Sequence, residues 1–149
     1  PYYYAALSQL INNTMLSKTE EKDAVLTKAQ ELIEKAEAIN PAESEIFALK
    51  GYIAFMQIYV DPMTRMQSDA VNAIELLQKA KTLNPENPRP YYIVAQNQFY
   101  TPEAYGGGKN AAKPALQKAA AKFEAFKLSN PLMPNWGGDK NAELLAQCK

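Results

Sequence analysis

An Asn-Pro pair returns three times, at Asn40-Pro41, Asn84-Pro85 and Asn130-Pro131, and the residues ahead of each pair follow one pattern. Twelve, eight and five places before the proline stand Ala29, Ile33 and Ala36, then Ala73, Leu77 and Ala80, then Ala119, Phe123 and Phe126. These spacings put the three residues on one helix face. The proline cannot continue that helix and pushes the residue before it out of helical space. Pro41 to Pro85 is 44 residues and Pro85 to Pro131 is 46. A helical pattern with such a period marks a repeat array, whose helix pairs bury their apolar faces only by stacking on neighbours. Such a frame suits binding better than catalysis.

The periodicity predicts seven helices and no strand. The first covers about 2–16, with Tyr3, Tyr4, Leu7, Leu10, Ile11 and Leu16 on its apolar side. Ser17 and Thr19 with Glu20-Glu21 signal a cap, and a second helix runs to about 39. Ser44 opens a third helix to Val60 that is apolar nearly all round, the mark of burial on more than one side. Asp61-Pro62 breaks the chain, and a polar segment through Asp69 leads to a fourth helix ending near Leu83. A fifth follows Pro88-Arg89-Pro90 and ends near Tyr100. Thr101 to Asn110, with Gly106-Gly107-Gly108, reads as a loop. The sixth helix carries Pro114 in its first turn and ends at Asn130, and a short seventh covers about 138–148.

Sixteen basic and sixteen acidic residues cancel, so no global charge draws the chain to nucleic acid or to an anionic membrane. Locally, 18–45 is acidic and 109–127 basic, and Lys109, Lys113, Lys118, Lys122 and Lys127 read as a solvated lysine stripe. A charged docking face is the sharper reading of that stripe. There is no histidine, which removes the commonest general base and zinc ligand together. The single cysteine, Cys148, cannot form an internal disulfide. No metal site, cofactor or catalytic constellation is expected, and the most apolar run, Tyr52 to Val60, is far short of the ~20 residues that span a membrane. The chain opens on Pro1-Tyr2-Tyr3-Tyr4 at a helix start without methionine, so removal of an upstream segment is expected.

The small–large–small–proline signature resembles the second helix of a tetratricopeptide (TPR) repeat. Phe47 with Gly51 and Tyr91 with Ala95 match the aromatic and small residues of that motif's first helix, and Tyr4 with Ser8 matches more loosely. In that register Gly51 and Ala95 let the second helix approach closely at Ala73 and Ala119. These units exceed the ~34 residues of a TPR, and the excess lies at Asp61–Asp69 and Thr101–Asn110. HEAT or armadillo repeats remain the alternative on period alone. The resemblance implies an all-α, right-handed superhelix forming one domain. Its repeats would cover about 2–41, 42–85 and 86–131, with a terminal helix behind them. Pro1-Tyr2-Tyr3-Tyr4-Ala5-Ala6, Asp61-Pro62-Met63-Thr64-Arg65, Asn87-Pro88-Arg89, Gly106-Gly107-Gly108-Lys109 and Pro134-Asn135-Trp136-Gly137 further resemble small TPR-like proteins of Bacteroidetes. That group implies a periplasmic or exported protein.

In a TPR array the first helices line a concave groove. The register places Gln9 and Asn13 there from the first unit, Glu45, Tyr52 and Phe55 from the second, and Arg89, Tyr92, Gln96, Phe99 and Tyr100 from the third. Aromatics mixed with amides and an arginine suit a protein or peptide partner, with rings giving area and amides pairing with backbone. The alternative is a small molecule or glycan in the same groove. A third reading is a hydrolase-type enzyme using Glu45 and Arg89. The opposite reading of the groove is that these rings are core, or are covered by the final helix. Gly106-Gly107-Gly108-Lys109 lacks the spacing of a nucleotide loop and reads as a tight path over a neighbouring helix. Arg65 and Arg89 are expected to tie loops down, and Trp136 to pack the last break onto the final repeat.

Overall fold

The structure, a computed structural model, describes residues 1–148. Among them are seven α-helices and one 3-10 turn, with no strand. They are α1 (Tyr2–Asn13), α2 (Thr19–Ile39), α3 (Ser44–Val60), α4 (Pro62–Leu83), α5 (Arg89–Tyr100), the 3-10 turn Glu103–Tyr105, α6 (Lys109–Ala125) and α7 (Gly138–Ala146). The molecule is all-α with helices packed in neighbouring pairs, as a helical repeat array requires. Two compact units divide the chain, Pro1–Leu83 and the part from Asn84 onward.

In the first unit α1 packs on α2, α2 on α3 and α3 on α4. The repeated pattern does the packing: Ala29, Ile33, Ala36, Ala73, Leu77 and Ala80 are all buried. Gly51 explains why a small residue is needed opposite them. A Cβ there would lie 2.6 Å from Leu77 Cδ2 and 3.3 Å from the Ala73 carbonyl, closer than packed atoms tolerate. α3, apolar nearly all round, is buried along most of its length. Its first turn is fixed from outside: the Ser44 hydroxyl donates to the Ala80 carbonyl over 2.8 Å, tying the start of α3 to the end of α4.

From Pro62 through Asp69 the chain is helical, against the expected polar loop. Pro62 occupies the first position of α4, where a missing N–H costs nothing. The Asp61 carboxylate accepts from the Thr64 N–H at 3.3 Å, and Arg65 anchors the first turns. Its guanidinium makes a two-pronged contact to Asp23 at 2.7 and 2.9 Å and donates to the Gln57 carbonyl at 3.0 Å. The residues that lengthen this repeat are here part of a helix. The expected side-chain cap on α2 is absent: Lys18 is the N-cap, with no side-chain bond, and Glu20 and Glu21 meet the helix dipole instead. α1 stops at Asn13, short of 16.

In the second unit α5, α6 and α7 pack on one another. The Asn87 carboxamide accepts from the Arg89 N–H at 3.0 Å and Pro90 lies in the first turn, so α5 starts where the prolines suggest. α6 ends at Ala125, not Asn130, because Phe126 turns out of the helix and brings its ring 5.2 Å from the Arg89 guanidinium carbon. Ala119 keeps the buried register, while Phe123 and Phe126 are half-buried. Pro114 falls in the second turn of α6, where its ring leaves the Asn110 carbonyl without its usual helical partner.

Candidate functional site

The expected groove residues differ sharply in exposure. In the first unit Asn13, Glu45 and Phe55 are buried, and Gln9 and Tyr52 are half-buried. The Tyr3 hydroxyl lies 3.4 Å from a Glu45 carboxylate oxygen, joining α1 to α3. Tyr52, Met56 and Tyr59 share one face of α3 by their spacing and are half-buried to exposed.

In the second unit Arg89 and Tyr92 are buried, at 1% and 2% exposure. The segment after α6 covers them. Arg89 donates to the Pro134 carbonyl, and its guanidinium carbon lies 5.5 Å from the Trp136 ring centre. Tyr92 meets Phe123 and Trp136 edge-on at 6.2 and 6.5 Å. Gly137 closes this cluster with φ +99°, and a Cβ there would approach Phe123 to 3.0 Å and Tyr92 to 3.1 Å. A side chain at that position meets both a forbidden backbone and a filled space. Trp136 therefore packs the last break onto the unit, as its setting suggested.

Farther along α5 the groove residues reach solvent. Gln96 and Phe99 are half-buried and Tyr100 is 53% exposed. The Phe99 and Tyr100 rings stand edge to face with centres 5.1 Å apart, a favoured aromatic arrangement. Lys109 Nζ lies 6.0 Å from the Phe99 ring centre. The glycine loop puts it there. Gly106, Gly107 and Gly108 donate their amides to the carbonyls of Glu103, Pro102 and Gln98, which folds the loop back along α5. A Cβ on Gly107 would meet the Thr101 carbonyl at 2.2 Å. With all three amides so occupied, the loop is no anion cradle. Lys109 was not among the expected groove residues; the glycine run before it was the signal that α6 starts beside the end of α5.

The lysine stripe divides. Lys118 and Lys122 sit 5.3 and 5.4 Å from the Tyr91 ring centre, and Lys122 pairs with Glu86 at 2.8 Å. Lys109 lies instead beside Phe99, and Lys127 falls beyond the helix end. Spacings of four and five drift around a 3.6-residue helix, so these lysines do not share one face. No group of three or more Cys, Asp or Glu residues that could hold a metal ion is present among the described residues.

No protein-family model matches the chain, nor does any curated protein. A solved structure does: the HusA haemophore from Porphyromonas gingivalis, at 32% identity and a TM-score of 0.83, over 99% of this chain and 73% of that one.

Proposed function

The chain belongs to the family of the HusA haemophore, and from that premise we propose that it is a binding protein whose cargo is a haem-type tetrapyrrole. The likeness over 99% of the chain is the observation that carries this reading. It favours the small-molecule alternative over a peptide adaptor. The TPR-like identity of the helix pairs belongs to the same proposal, as does export from the cell. No described helix is long and apolar enough to cross a membrane.

The side chains limit how such a cargo could be held. Haem iron is ligated in proteins by His, Cys, Met or Tyr. Histidine is absent, and Cys148 is buried with its thiol donating to the Leu144 carbonyl. Affinity must then rest mainly on apolar and ring contact, with tyrosine or methionine left for the metal. The end of α5 supplies what a flat dianionic ring needs. Phe99 and Tyr100 offer ring surface, and Lys109 beside them offers a cation for a propionate carboxylate. Gln96, one turn back, adds a carboxamide.

Titration with haemin, followed by the shift of its Soret band, tests this. Wild type should saturate, and a Phe99→Ala, Tyr100→Ala variant that still folds should bind roughly tenfold more weakly, about 1.4 kcal/mol for two rings. Saturation with equal affinity in the variant would move the site off α5. No saturation by wild type would remove the haem reading.

A further inference from the structure

A cleft of about 320 Å³ opens on the first unit, where α2, α3 and α4 meet. Its size is at the small end for ligand pockets, and its lining is unlike the aromatic end of α5. Lys50, Ala54 and Gln57 come from one face of α3, Asp69, Asn72 and Leu76 from one face of α4, and Gln30 from α2. No aromatic residue lines it. Three carboxamides, one cation and one carboxylate surround a small apolar floor.

The hydrogen bonds already made decide which chemistry this lining suits. Lys50 is paired with Glu37 at 2.5 Å, with both side chains largely shielded. Its charge is therefore answered within the chain, and a free carboxylate would have to compete with Glu37. That disfavours an amino acid or other zwitterion. Gln30 donates to Glu34 at 2.6 Å, while the side chains of Gln57, Asp69 and Asn72 make no hydrogen bond with the described residues. Asp69 lies within reach of the charge of Arg65. Two carboxamides that both donate and accept, beside a carboxylate that accepts, match a ligand whose every polar group does both. Hydroxyls are such groups. A hydroxyl-rich ring also has an apolar face, which Ala54 and Leu76 can take.

The geometry points to this cleft as a binding site for a neutral, hydroxyl-rich small molecule of monosaccharide size. It lies on the first unit and shares no residue with the proposed tetrapyrrole contacts of α5, so either reading can fail without the other. Glucose, galactose and mannose are the probes, with glycine as the zwitterion. Binding is read from the side-chain amide resonances of Gln30, Gln57 and Asn72 in the full chain. At least one sugar should move these resonances saturably. Asn72→Ala, on the exposed side of a helix, and Gln57→Leu should each weaken that binding about tenfold while leaving haemin titration unchanged. Absence of a saturable shift with every sugar overturns the proposal. So does equal sugar affinity in both variants, or saturation by glycine alone.

Discussion

Arg89 shows how a residue chosen for recognition can be held for packing. Its guanidinium lies under Trp136 and Phe126 and donates to the Pro134 carbonyl. Arg89→Ala should leave that carbonyl without its donor and open space between the rings, costing about 2–4 kcal/mol. Trp136 is the chain's only tryptophan, so its emission should shift to the red in the variant. Unchanged emission and melting would contradict the burial. At Gly51 the test runs the other way: Gly51→Val drives two methyl groups toward Leu77 and should cost about 1–3 kcal/mol in a denaturant melt. Asp23 provides a pH signature. The hydrogen bond from Arg65 holds its carboxyl below the ordinary 3.8 against a smaller opposing effect of burial. The stabilisation is complete above 3.8 and declines as pH falls through the lower folded value. Arg65→Met should therefore melt below wild type at pH 7, and the gap should close in acid. A gap that does not narrow as the pH falls would assign the effect to the Gln57 carbonyl contact.

At the scale of elements, α4 begins because Asp61 and Pro62 supply a cap and a preset first position. Asp61→Ala should lower stability by about 1 kcal/mol and increase amide exchange in 63–66; exchange confined to later turns would contradict it. This start was hidden in the sequence. Asp-Pro punctuates loops and helix starts alike, and the polar run behind it faces solvent, so no apolar period marks it. What separates the two readings is the distant partner Asp23, which no local pattern reveals. Helices α3 and α5 were legible for the opposite reason: prolines and asparagines fix their starts, and apolar residues fill them. The end of α6 was missed because Phe126 fits the repeat by spacing but is drawn out of the helix toward Arg89. The site was legible to a similar degree. Register alone nominates Phe99 and Tyr100, whereas the burial of Arg89 and Tyr92 depends on Phe123, Phe126, Pro134 and Trp136, the last two beyond the repeats. Lys109 reaches Phe99 only because the glycine loop folds back.

Over the whole molecule, a haem-type cargo of the kind proposed would have to be held without histidine. Under that proposal ring contact, apolar area and a lysine for a propionate carry the affinity, with tyrosine or methionine left for the metal. The family shown by the HusA likeness supplies the expectation, and the end of α5 is the place proposed for it. Equilibrium dialysis of the chain against haemin tests that claim most directly. The account predicts saturation at one haemin per chain, retained in high salt because ring and apolar contact dominate. Uptake that grows without saturating, or that vanishes with salt, would contradict it.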